Sequence, residues 1–172
     1  MTSERHVKTH HPRPTTDELR AFIARGWSPR DEAPPERATV APYTAARRER
    51  VSAAFPGERL VIPAGGLTVR SNDTDYVFRP HSAFAHLTGI GADREPDAVL
   101  VLEPMGEGGH EAVLFFRPLA DRDSDEFFAD TRYGEFWVGA RPTIADVEAE
   151  LGISARHIEE LAGAIAKDVG VV

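Results

Sequence analysis

Apolar residues fall along this chain in short blocks, some spaced three to four apart and others nearly continuous. After Pro14-Thr15-Thr16-Asp17-Glu18, Leu19, Phe22 and Ile23 recur at helical spacing. That pattern predicts a short first helix with Thr15 as cap, Glu18 reaching back and Gly26 as stop. Four prolines among charges between Trp27 and Pro42 predict an extended linker. A second helix is predicted over 43–55, with Thr44 at its cap and Pro56-Gly57 after it. Arg59 to Pro63 reads as a short buried strand and Ala64-Gly65-Gly66 as a turn, with Leu67 to Val69 continuing as a second strand. Pro80 is expected in the first turn of a helix that carries Phe84 and Leu87 and ends at Gly89.

Two stronger strands follow, Ala98 to Leu102 and Ala112 to Phe116, separated by Gly106-Glu107-Gly108-Gly109. The glycine tract predicts a hairpin. Both runs are apolar at nearly every position, which predicts helices on both faces of the sheet. Thr143-Ile144-Ala145-Asp146 has the form of a capping box, with Val147 and Leu151 on the face behind it. Ser154 is read as the cap of a last helix with an apolar stripe at Ile158, Leu161, Ala162 and Ile165. The apolar residues 169–172 read as the start of one more strand, so the chain is expected to be truncated there. Helices alternating with short strands define an α/β class.

Composition narrows the function classes. The chain has 172 residues, no cysteine and a formal charge of −8. This excludes a disulfide framework and thiolate metal sites; the sequence has no apolar run long enough to span a membrane, and with Met1 to Arg13 polar no secretory leader is expected. These features predict a cytoplasmic location. Residues 1–50 hold ten Lys/Arg against seven Asp/Glu, and residues 51–172 hold ten against twenty-one. An acidic body repels phosphate backbones, so no nucleic-acid partner and no membrane partner is expected.

The catalytic motifs fail one by one. No Gly-x-Gly-x-x-Gly follows a strand, no phosphate loop ends in Gly-Lys-Ser/Thr, and no His-Glu-x-x-His occurs. His10 and His11 lie in the polar front segment, and His81 and His86 are five apart, off a common helical face. His157 is expected to be exposed on the last helix. Asp121 to Asp125 imitates the opening of a calcium loop, but Glu126 and Arg132 stand where that loop requires glycine and glutamate. Asp73 and Asp75 flank Thr74 between Arg70 and Arg79, and ion pairing is their simplest use. Trp137 reads as either core or a stacking surface. On chemistry alone, this is a domain without an active site.

One run carries more. Arg70-Ser71-Asn72-Asp73-Thr74-Asp75-Tyr76, Phe78-Arg79, Phe84-x-x-Leu87-Thr88-Gly89 and Glu95-Pro96-Asp97-Ala98-Val99-Leu100-Val101-Leu102 stand in order. Together they resemble the hallmark segment of aminopeptidase P amino-terminal domains, and Phe136-Trp137-Val138-Gly139-x-Arg141 is similar too. Arg79-Pro80-His81 and His86 depart from the residues many members carry, and the loop from Leu119 to Tyr133 is longer than in compact members. The resemblance covers roughly Tyr43 to Leu151. It divides the chain into a proline-rich extension with a short helix, 1–42, and an aminopeptidase P amino-terminal domain, 43–172.

The resemblance implies a mixed β-sheet flanked by helices, as in creatinase and prolidase, within an enzyme that removes the amino-terminal residue preceding proline. In that family two manganese ions in a carboxy-terminal pita-bread domain do the chemistry. It implies no catalytic residue, metal ligand or cofactor here, and an inactive isolated chain. Implied partners are the chain's own carboxy-terminal catalytic domain, further copies in a dimer or tetramer, and proline-containing peptides. Asp73, Trp137 and Arg141 are carried over as lining the substrate entrance. Residues 1–42 are expected to order only against a partner subunit. A freestanding peptide- or protein-binding module of the same fold is the alternative, and prolidase or creatinase a third.

Overall fold

The two longest apolar runs pair with each other. In this computed structural model, which describes residues 16–30, 33–72, 74–106 and 108–167, β4 (Val99–Pro104) and β5 (His110–Phe116) form an antiparallel hairpin with Val101 opposite Val113. The chain separates into two units, residues 31–119 with 140–172 and residues 1–30 with 120–139.

In the larger unit, β1 (Leu60–Pro63) lies antiparallel to β4, and β6 (Ser154–His157) lies parallel to β5. The four-stranded sheet therefore runs in the order β1-β4-β5-β6 and is mixed. A small separate hairpin joins β2 (Val69–Ser71) to β3 (Thr74–Asp75).

Side chains alternate along the central strands, which gives the sheet two apolar faces. Leu100, Leu102, Leu114 and Phe116 face one core, shared with Phe84 and Leu87 of α3 (Ser82–Thr88) and Val147 and Leu151 of α6 (Ile144–Leu151). Val51 of α2 (Ala41–Ala54) packs against the same core. Val99, Val101, Val113 and Phe115 face the other, covered by Ile158 of a 3₁₀ turn (Ile158–Glu160) and by Leu161, Ala164 and Ile165 around α7 (Leu161–Ile165). Helices on both faces were the sequence expectation. A side chain such as Phe84, fully buried, contributes about 2–3 kcal/mol relative to exposure.

Several helix starts differ from the sequence reading. Thr44 does not cap α2 but lies fully buried in its first turns, its hydroxyl donating to the Ala41 carbonyl at 3.0 Å. Pro42 occupies that first turn, where a missing N–H costs nothing. Pro80 precedes α3, whose N-cap is His81. Ser154 opens β6 instead of capping a helix, because the edge of β5 offers a full parallel ladder that outweighs one side-chain bond. His157 accordingly sits half-buried at the end of β6, its Nδ1 accepting from the Glu159 amide at 3.2 Å. The capping box at Thr143 and Asp146 forms as predicted. The readings that fell on residues 169–172, on Thr15 and on His10-His11 lie outside the described residues.

The smaller unit joins α1 (Asp17–Ile23), α4 (Asp125–Ala129) and α5 (Glu135–Val138). Thr16 caps α1, accepting from the Leu19 amide at 3.3 Å. Phe127 is its fully buried centre, with Trp27 edge-on at 5.2 Å and Phe136 at 6.4 Å. Glu135 receives Arg30 at 2.5 Å and Arg122 at 3.0 Å. Residues 16–30 thus pack on 120–139 of their own chain, where the sequence reading had them wait for a partner subunit. The aromatic and charged complements are about a hundred residues apart, so no local pattern pairs them.

Candidate functional site

Leu87-Thr88-Gly89 closes α3, and each residue has a separate task. Leu87 enters the core. Thr88 is fully buried; its hydroxyl donates to the Phe84 carbonyl at 2.8 Å and accepts from the Ile90 amide at 3.1 Å. Gly89 takes the left-handed conformation at φ 81°, and a Cβ there would meet Val40 Cγ1 at 2.6 Å. Only glycine satisfies both constraints. From α2, Arg47 donates to the His86 carbonyl at 3.1 Å and Arg48 to the Leu87 carbonyl at 2.8 Å. Two cations at the carbonyl end of α3 also oppose its dipole.

The segment upstream is more exposed. Arg70 sits over the Tyr76 ring at 5.9 Å, and Asp75 makes no ion pair with Arg70 or Arg79. Asp73 lies outside the described residues.

Trp137 is in the smaller unit and is 55% exposed. Its Nε1 donates to the Phe128 carbonyl at 2.7 Å, and Phe136 packs edge-on at 5.3 Å. Of the two sequence readings, core and stacking surface, the first does not hold within this chain, where the side chain stands at the surface. With one edge held by a hydrogen bond, the indole is fixed in orientation and presents its apolar face at the surface. Arg141 belongs to the larger unit and is only 5% exposed. Its guanidinium donates to the Pro118 carbonyl at 3.0 Å, beside the bond from the Leu119 amide to the Pro142 carbonyl. It ties 117–119 to 140–142.

Among the described residues, no three His, Asp or Glu side chains stand close enough to share a metal ion. His81 and His86 are both exposed. Ser124, at the start of α4, lies in the acidic loop, and its neighbour Asp125 pairs with Arg20 at 3.0 Å.

A feature that sequence reading missed lies between α2 and the β4–β5 hairpin. There Arg48, Ser52 and His110 border a cleft of about 560 Å³. Arg48 and Ser52 stand one helical turn apart, which was legible, but His110 is 58 positions from Ser52.

Residues 44–170 match the family described as aminopeptidase P, N-terminal domain. The chain is 45% identical over 157 residues to Xaa-Pro aminopeptidase 1 of Streptomyces coelicolor, a match covering 91% of this chain and 31% of that protein. It is 43% identical over 149 residues to Xaa-Pro aminopeptidase 2 of the same organism, covering 87% of this chain and 31% of the relative. Among solved structures, aminopeptidase P from E. coli in a low-pH form superposes with TM-score 0.56 at 28% identity, over 71% of this chain and 25% of that one. The Pseudomonas aeruginosa aminopeptidase PepP gives 0.58 at 26% identity, over 74% and 26%. The chain thus spans less than a third of the relatives' length. No helix among the described residues is long and apolar enough to cross a membrane.

Proposed function

Since the chain belongs to the aminopeptidase P N-terminal domain family, we propose that it is the non-catalytic amino-terminal domain of an Xaa-Pro aminopeptidase, a hydrolase that releases the residue preceding proline. The observation that carries this reading is the match to the Streptomyces coelicolor enzymes along nine-tenths of the chain. Two manganese ions, expected in the carboxy-terminal catalytic domain, would there supply a water of lowered pKa. The chain's own share is to build one wall of the entrance, to join its carboxy-terminal catalytic domain, and to assemble with further copies in a dimer or tetramer, in the cytoplasm.

In this reading Trp137 packs its indole on the proline or a later residue of the peptide, its plane held by the Phe128 carbonyl. Asp73 meets the peptide's amino end. Arg141, buried and bound to Pro118, acts as a positioning residue for the loop it ties down and does not touch substrate.

The test is hydrolysis of a short Xaa-Pro peptide with added Mn²⁺, on this chain and in parallel on a protein in which the chain precedes its catalytic domain. Activity confined to the longer protein is the expected result. Activity of the chain alone would overturn the non-catalytic role, and silence of both would leave the fold as a peptide-binding module.

A further inference from the structure

Arg48 is an arginine without an anion. It is 8% exposed on α2, and its one hydrogen bond among the described residues goes to the uncharged Leu87 carbonyl. No carboxylate lies within ion-pair distance of it among those residues. Burial lowers its pKa from the ordinary arginine value, while the charge of Glu49, exposed at the rim, works the other way. A guanidinium carries five N–H donors; Arg48 Nη1 serves Leu87, and its Nε and Nη2 are not among the buried nitrogens that lack a partner, so they remain accessible as donors at the cleft.

Arg48 lines the 560 Å³ cleft between α2 and the β4–β5 hairpin, a volume within the range of about 300–1,000 Å³ that holds small ligands. Pro56, Leu102, Met105 and Ala112 give the remaining wall a largely carbon surface. Apart from Glu49, whose carboxylate can only accept, the other polar side chains of the lining are already engaged. His110 Nε2 faces the Glu58 carbonyl at 2.6 Å, and a carbonyl can only accept, so Nε2 carries the proton. The bare Nδ1 then accepts from the Ser52 hydroxyl at 2.7 Å. Ser52 therefore has no proton to give a ligand, and Arg48 is the available donor.

We propose that this cleft is a binding site for a small monocarboxylate with an apolar body, its carboxylate on Arg48 and its hydrocarbon against Pro56 and Met105. A single guanidinium matches one negative charge in a fork geometry. A phosphate dianion needs more donors than the cleft offers, and its charge would face carbon. Glu49 at the rim disfavours a second negative charge. The site is independent of peptide hydrolysis and stands or falls separately from it.

Hexanoate titrated into the complete chain, followed by amide chemical shifts in two-dimensional NMR, tests the assignment. The expected outcome is a saturable shift of the Ala45, Ser52, Met105 and Ala112 amides, with a dissociation constant on the order of 1 mM. Hexanamide, the same shape without the charge, is expected to bind at least about tenfold more weakly. Arg48→Met is expected to abolish the hexanoate shifts. Because Arg48 also holds Leu87, a second variant, Ala53→Trp, fills the cleft from an exposed position of α2 and is expected to abolish binding with that bond kept. Equal binding of hexanoate and hexanamide, shifts centred elsewhere, no saturation by about 20 mM, or binding retained in Ala53→Trp would each overturn the proposal.

Discussion

Arg59 grips Glu103 with two hydrogen bonds, Nε to Oε2 at 2.6 Å and Nη2 to Oε1 at 2.5 Å, which ties the start of β1 to β4. Its Nη1 also donates to the carbonyls of Ile165 at 3.0 Å and Lys167 at 2.5 Å, behind α7. One side chain therefore fastens the edge strand to the helix that covers the second sheet face. The Arg59 hydrogen bonds hold Glu103 below the usual carboxylate range, burial works against them, and the positive charges of Arg59 and Lys167 add to the lowering.

A lowered folded pKa means that this pair stabilises the protein above the unfolded carboxylate value of about 4.3 and loses that effect as pH falls through the folded value. The Glu103 side chain is 36% exposed, so solvent screening limits the contribution to about 0.5–1 kcal/mol. Urea unfolding of Glu103→Gln is expected to show that loss at pH 7 and a smaller difference from wild type at pH 3.

Glu135 serves two arginines. Burial raises its pKa, but hydrogen bonds from Arg122 and Arg30 and their charges outweigh it, and the net shift is downward. Replacing it with glutamine leaves two guanidinium groups without their counter-charge, at a cost of about 2 kcal/mol. Both tryptophans of the chain, Trp27 and Trp137, lie in this unit, so tryptophan fluorescence during denaturation reads the effect directly. An unchanged midpoint in Glu135→Gln would show that the triad is not what holds residues 16–30 to 120–139.

Thr88→Val keeps shape and removes both hydroxyl hydrogen bonds, leaving the Ile90 amide unpaired; a loss of about 1–3 kcal/mol is expected. Gly89→Ala is expected to cost at least about 1–2 kcal/mol from the left-handed backbone alone, with the Val40 contact added to it. Circular dichroism during urea titration measures both.

In the complete enzyme, Trp137→Ala is expected to raise KM for an Xaa-Pro peptide about fivefold with kcat nearly unchanged, because an exposed indole contributes binding area and no reacting group. Stability is expected to stay within about 1 kcal/mol. A fall in kcat at constant KM would contradict a role confined to the entrance.

Signals that act within a few residues are legible in the sequence itself. The continuous apolar runs at 98–102 and 112–116, the glycine tract between them, the Thr143 capping box and the Gly89 stop all depend on neighbours in sequence. They determined the α/β class, the hairpin and the need for helices on both faces. The tertiary structure decided what depends on a distant partner. Ser154 to His157 became a strand because β5 had a free edge. Thr44 went inside because α2 began earlier and turned that face to the core. Residues 16–30 found their aromatic and acidic complement at 120–139, and Ser52 met His110 across 58 positions. Helix caps and strand periods are local energies written into the chain, whereas the burial of an isolated polar residue takes its sign from what folds against it.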